Sequence, residues 1–167
     1  LGEGLVFIPR LDAHLLALDQ KTGAVVWDVE VAQPAEGYSI TGAPRYFNGR
    51  VYSGVAGGEY QTRGSMQAFD AKTGAHQWTF NTVPGPGEFG HDSWPADNDS
   101  WKYGGAPIWQ TAAFDPALNM LYFSTGNASP DLNGNLRKGD NLFTVSIVAL
   151  DATTGEYRWH FQETRHD

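Results

Sequence analysis

Two oxygen-bearing side chains stand at matching places in this sequence: Glu59 in the corner Ala56-Gly57-Gly58-Glu59-Tyr60, and Asn127 in the corner Thr125-Gly126-Asn127. A carboxylate and an amide carbonyl are hard donors, suited to Ca²⁺ or a similar ion and poorly suited to thiophilic metals. The chain has no Cys, which removes thiolate metal sites, disulfides and thiol catalysis and leaves the redox compartment undetermined. Its five His, at 14, 76, 91, 160 and 166, have no metal-like spacing. A net charge of −8 without any cluster of Lys and Arg argues against nucleic acid or an anionic membrane surface as a partner. Residue types alone leave two readings of the pair. Either both side chains face one ion, or each acts locally, Glu59 pairing with Arg63 and Asn127 capping a turn.

The elements that must bring residues 59 and 127 together are announced by a repeated phrase, Ala-x-Asp-x-x-Thr-Gly-x-x-x-Trp. It runs from Ala17 to Trp27, from Ala68 to Trp78 and from Ala149 to Trp159. Each copy reads as a short apolar strand, a tight turn with Gly where positive φ is needed, and a second strand carrying an indole. Its Asp residues, at 19, 70 and 151, stand 51 and 81 positions apart, and a propeller blade is on the order of 40 to 50 residues. Between the phrases a second unit repeats: Gly42-Ala43-Pro44 and Gly105-Ala106-Pro107 each open a strand, a turn follows, and the return strand ends at the corner with Glu59 or Asn127. The expected fold is therefore all-β, a partial β-propeller of about two and a half four-stranded antiparallel blades, and residues 1–167 form one partial domain. Residues 1–31 supply the end of one blade, 38–81 a second and 104–163 a third. The Pro-, Gly-, Asp- and Ser-rich stretch 82–103 reads as a long surface loop. Strand ends from successive blades point toward one mouth of the central channel, so Glu59 and Asn127 can meet. Propellers close with about four to eight blades, so the sequence reads as an internal fragment of a longer chain. No apolar run approaches the roughly 20 residues of a membrane span, and no secretion signal is present.

Several runs carry a resemblance: Ile40-Thr41-Gly42-Ala43-Pro44, Gly57-Gly58-Glu59-Tyr60 with Arg63-Gly64, Pro84-Gly85-Pro86-Gly87-Glu88, Trp109, Thr125-Gly126-Asn127 and Gly139-Asp140-Asn141-Leu142-Phe143. Their order and spacing resemble the pyrroloquinoline quinone (PQQ) dependent alcohol dehydrogenases over essentially the whole chain. The resemblance implies an eight-bladed propeller with PQQ and a metal ion, Ca²⁺ or a lanthanide, on its axis. By position, Glu59 and Asn127 match two metal ligands, Trp109 the indole on which the quinone stacks, and Thr41 a hydroxyl that bonds a PQQ carboxylate. Gly57 and Gly58 match backbone positions lining the cofactor. Ala56 and Pro107 stand where some members have a serine and a threonine. No catalytic residue falls within the chain: the family's general base is the last Asp of His-Asp-x-Trp-Asp, the sequence reaches His166-Asp167, and the base falls three positions further. The resemblance further implies alcohol oxidation, a cytochrome c or quinone electron acceptor, a periplasmic location and a fragment that is inactive alone.

Other patterns dissolve. Gly85-Pro86-Gly87-Glu88-Phe89-Gly90 matches a dinucleotide fingerprint in letters but contains Pro86 and leads into no helix. Asp131-Leu132-Asn133-Gly134-Asn135 has a calcium loop's letters with a misplaced Gly and no closing Glu, and reads as a polar turn. Asn127-Ala128-Ser129 is formally a glycosylation acceptor, in conflict with a ligand role. Trp27, Trp78 and Trp159 read as core indoles, whereas Trp109 lies outside the repeated phrase on an inner strand. Two alternatives stand beside the alcohol dehydrogenase: a non-catalytic propeller scaffold similar to outer-membrane assembly lipoproteins, and a sugar or polyol dehydrogenase sharing the cofactor.

Overall fold

The three Trp phrases fold alike because one carboxylate organises each turn. Asp19 accepts hydrogen bonds from the N–H groups of Lys21 and Thr22 at 3.0 and 2.8 Å and from the Thr22 hydroxyl at 2.8 Å. Asp70 and Asp151 hold the same three donors of their own turns. Gly23, Gly74 and Gly155 close the turns at φ of 72°, 73° and 74°, a conformation costly for any residue with a Cβ. A β-bulge follows at the same place in each hairpin, between Ala17 and Leu18, Ala68 and Phe69, and Ala149 and Leu150.

The computed structural model describes residues 1–167. Three antiparallel sheets are built in chain order. Strands β1 (Leu5–Pro9), β2 (His14–Asp19) and β3 (Val25–Glu30) form the first. Strands β4 (Arg45–Phe47), β5 (Arg50–Gly54), β6 (Ser65–Asp70) and β7 (His76–Asn81) form the second, and β8 (Ala113–Asp115), β9 (Met120–Ser124), β10 (Ser146–Asp151) and β11 (Tyr157–Gln162) the third. All helical segments are single 3₁₀ turns, so the fold class is the all-β one expected.

Period-two alternation lets the middle sheet serve two cores. Val51, Val55 and Phe69 pack with Leu5, Phe7, Leu15 and Trp27 of the first sheet. Tyr52, Met66 and Ala68 face the other way, onto Leu121, Phe123, Val148 and Leu150 of the third. Each phrase also docks its indole on the next phrase's turn, Trp27 against Gly74 and Trp78 against Gly155. Trp27 Nε1 donates to the Ala71 carbonyl at 3.0 Å. The equivalent acceptor for Trp78, the Ala152 carbonyl, is taken by the Tyr52 hydroxyl at 2.9 Å, which leaves Trp78 Nε1 buried without an acceptor. Burial pushes the Tyr52 phenol up to about 12.

Four expectations need correction. Trp159 is 44% exposed rather than buried, and Trp78 is half-buried against the second core. The 82–103 segment is more than a surface loop: Thr82–Gly85 and Trp94 are buried, Val83, Trp94 and Ala106 make a small core, and 3₁₀ turns form at His91–Ser93 and Ser100–Tyr103. Gly42-Ala43-Pro44 leads directly into β4 at Arg45, as expected, but Gly105-Ala106-Pro107 opens no strand, because β8 begins only at Ala113. Trp109 consequently lies in the segment before β8 rather than on an inner strand. Residues 104–108 are diverted because their hydrogen-bonding groups are spent between sheets.

Candidate functional site

Residues 104–108 run as a seam between the corner that follows β5 and the corner that follows β9. On one side the Ile108 N–H donates to the Val55 carbonyl at 2.8 Å, the Gly105 N–H to Thr62 at 3.0 Å, and the Gly64 N–H to the Gly105 carbonyl at 2.8 Å. On the other, the Ala106 N–H donates to the Asn127 carbonyl, and the Gly126 N–H to Pro107, both at 2.8 Å. The seam thus pins both corners to one backbone and sets their side chains over a shared space.

Glu59 and Asn127 line one small cavity of about 40 Å³, together with Gly58, Pro107, Trp109, Gly126 and Asp131. That volume holds a single ion or water. Glu59, Pro107 and Trp109 also line a second, larger cleft of about 500 Å³, whose other walls are Ser39, Thr41, Ala56, Gly57 and Tyr60. All six residues singled out in the sequence, Thr41, Gly57, Gly58, Glu59, Trp109 and Asn127, therefore border one of two adjoining spaces. The Trp109 ring is 53% exposed, and the Thr41 hydroxyl donates to the Trp109 carbonyl over a long 3.3 Å. Ala56 and Pro107 make apolar stretches of the cleft wall.

Packing alone requires the two glycines. Gly57 has φ of 117°, with the Gly37 carbonyl where a Cβ would lie, and a Cβ on Gly58 would stand 2.8 Å from the Pro107 ring. The local reading of the two ligand candidates does not hold. Arg63 turns away from Glu59, bonding Glu88 at 2.6 Å and the Val83 carbonyl at 2.7 Å, with its guanidinium 4.9 Å from the centre of the Trp101 ring. Asn127 donates its side-chain N–H to Asp167 Oδ2 at 2.7 Å instead of capping its own turn.

Asp131 is the cavity residue that sequence reasoning missed, since its run read as a polar turn. A turn does form there, with Asn133 accepting from the Asn135 N–H at 3.1 Å, but Asp131 itself borders the Glu59 and Asn127 cavity. The preceding residue is held by Arg137, which is 1% exposed and donates to the Pro130 carbonyl at 3.1 Å and to Asn141 at 3.0 Å. Burial lowers the Arg137 pKa, and the charges of Asp167 and Asp131 oppose that shift. The sequence signal is only proximity: Asp131 lies four residues after Asn127.

Comparisons with known proteins bear on the fold and the family. Residues 32–167 match the family model described as PQQ, the glucose/ethanol/alcohol dehydrogenase β-propeller domain. The chain is 43% identical to the quinoprotein alcohol dehydrogenase PedH of Pseudomonas putida, across 98% of this chain and 30% of that protein. It is 41% identical to the quinohemoprotein alcohol dehydrogenase of Comamonas testosteroni, across 100% of this chain and 25% of the relative. Among solved structures, a europium-containing methanol dehydrogenase superposes with a TM-score of 0.92 at 34% identity, covering 100% of this chain and 32% of that one. The chain thus spans about a quarter to a third of the length of the relatives it matches.

Proposed function

The chain belongs to the PQQ-dependent glucose/ethanol/alcohol dehydrogenase β-propeller family, and on that premise we propose that it forms the part of an alcohol dehydrogenase that grips PQQ and its metal ion. The observation that carries this reading is the wall common to the two cavities. Glu59 and Trp109 border both a space the size of one ion and a cleft large enough for a flat organic cofactor. When bound, PQQ supplies a two-electron acceptor and the ion a Lewis acid on its carbonyl oxygen.

The chain's own residues divide the work. Glu59 and Asn127 offer the hard oxygens, with Asp131 adding negative charge at the cavity edge. Trp109 borders the larger cleft, where its indole would offer a planar π-system a surface to stack on. Thr41 gives its hydroxyl only a long bond to the Trp109 carbonyl, which a carboxylate acceptor in the cleft would replace with a stronger one. Ala56 and Pro107 replace polar contacts with apolar ones, so orientation falls more heavily on Thr41 and on stacking.

For the whole protein, the reading assigns oxidation of an alcohol, a general-base aspartate three positions beyond Asp167, transfer of electrons to a cytochrome c or quinone, and a periplasmic location. No helix of the chain is long and apolar enough to cross a membrane. A non-catalytic scaffold would account for the Trp phrases but leaves the paired cavities without a use. In the full-length protein, Glu59→Ala should abolish metal-dependent alcohol oxidation and Trp109→Ala should weaken PQQ retention. Unchanged turnover in both variants refutes the assignment.

A further inference from the structure

Resting on that reading of Glu59 and Asn127 as ion ligands, we infer that Asp167 is a positioning residue that turns the Asn127 carbonyl toward the ion cavity. A carboxylate only accepts hydrogen bonds, so the face of Asn127 turned to Asp167, 2.7 Å away, has to be its amide N–H. The carbonyl oxygen of the same planar group then points away from Asp167. Asp167 is not itself among the residues bordering the cavity, so it acts on the ion through Asn127.

The segment that presents Asp167 is fastened independently of Asn127. The Glu163 N–H donates to the Val145 carbonyl at 2.9 Å, the His166 N–H to Asp140 at 3.3 Å, and His166 Nδ1 stands 2.9 Å from the Gly139 carbonyl. Arg165 pairs with Asp140 at 3.4 Å. The Gly139–Asn141 turn is anchored in its own right, through the Asn141 N–H bond to the Ser93 carbonyl at 3.0 Å and through buried Arg137. Asp167 is therefore delivered to Asn127 by a braced turn that follows β11. An amide without a fixed partner also populates the orientation that presents N–H to a cation; the bond to Asp167 disfavours that state and polarises the carbonyl oxygen toward the ion. Groups that orient a metal ligand in this way are worth about 10- to 100-fold in affinity.

The test uses the full-length protein and Tb³⁺ as probe, its emission sensitised by the indole of Trp109, which borders the same cavity. Asp167→Ala should weaken Tb³⁺ binding about 10-fold or more, while Asp167→Asn, which keeps an acceptor oxygen, should stay within about threefold of the parent. Asn127→Asp offers the ion an oxygen whichever way its planar group turns, so adding Asp167→Ala to it should cost less than about threefold. Thermal unfolding of each variant separates lost folding from lost affinity, and the smaller loss within the double variant is an effect that a general packing role does not produce. Parent-like affinity of Asp167→Ala overturns the inference. So do equal losses in Asp167→Ala and Asp167→Asn, which would make charge rather than orientation the cause. A parent protein that gives no sensitised Tb³⁺ emission refutes the ion-site reading itself and takes this inference with it.

Discussion

The three turn glycines offer a built-in controlled experiment on what holds neighbouring sheets together. Gly23, Gly74 and Gly155 share one backbone conformation, with φ between 72° and 74°. Their surroundings differ. A Cβ on Gly23 meets nothing within 4 Å, one on Gly74 would lie 2.9 Å from the Trp27 ring and 3.0 Å from Val29, and one on Gly155 would lie 2.6 Å from the Trp78 ring. Alanine at Gly23 therefore carries only the left-handed backbone penalty, about 1–2 kcal/mol. At Gly74 and Gly155 it adds an overpacking cost of about 1–3 kcal/mol, because the indole lies between two sheets and a rigid ring cannot yield locally. The expected order of destabilisation is Gly155→Ala, then Gly74→Ala, then Gly23→Ala. Urea unfolding of the chain of residues 1–167, in which Gly23 has these open surroundings, followed by tryptophan fluorescence, measures it. Three equal losses would show that turn strain alone matters and that the indole-on-glycine contacts do not join the sheets.

Other outcomes follow from individual groups. Tyr52→Phe frees the Ala152 carbonyl for Trp78 Nε1, so the loss should stay below the roughly 1–3 kcal/mol of an unsatisfied buried carbonyl; a larger loss in urea unfolding would mean that Trp78 does not take up the acceptor. Asp131→Asn should weaken Tb³⁺ or Ca²⁺ binding by severalfold without changing folding, as measured by calorimetric titration, and unchanged affinity would remove Asp131 from the site. The Thr22 N–H and hydroxyl hold the Asp19 carboxyl below its ordinary value, and the Thr73 hydroxyl and N–H do the same for Asp70. Carboxyls lowered in this way stabilise the fold above the unfolded-chain pKa of about 4 and lose that contribution as pH falls through the lower folded value. Stability measured by urea unfolding should therefore fall below about pH 4, and Asp70→Asn should flatten the slope; a profile level through acid in the parent would contradict this.

The repeated hairpins were legible because their information is local. Asp19, Asp70 and Asp151 each find their donors two and three residues on, and Gly four residues on supplies the one strained conformation. Sheet class and the matching corners followed from repetition. What escaped the sequence depends on contacts between distant segments. Gly105-Ala106-Pro107 has strand-like letters, yet its two amide N–H groups are bonded to Thr62 and Asn127, on opposite sides of the seam, and no short-range pattern records that. Trp159 carries the same phrase position as Trp27, but burial of the indole is conferred by the next phrase's turn, not by its own. Asp131 looked like turn chemistry because it begins a real turn, and the residue before it is held from further along the chain, by buried Arg137 at the Pro130 carbonyl. The pairing of Arg63 with Glu88 rather than Glu59 likewise rests on the 82–103 segment folding back onto Arg63, where Val83 and Trp94 pack with Ala106.

The account turns on Glu59 and Asn127 addressing one ion beside Trp109. Anomalous diffraction from crystals of the full-length protein grown with PQQ and Ca²⁺ or a lanthanide tests this most directly. A single strong peak within about 2.3–2.6 Å of a Glu59 carboxylate oxygen and the Asn127 side-chain carbonyl is the predicted result. A peak bound to neither side chain, or an Asn127 amide whose N–H faces the ion, would contradict it.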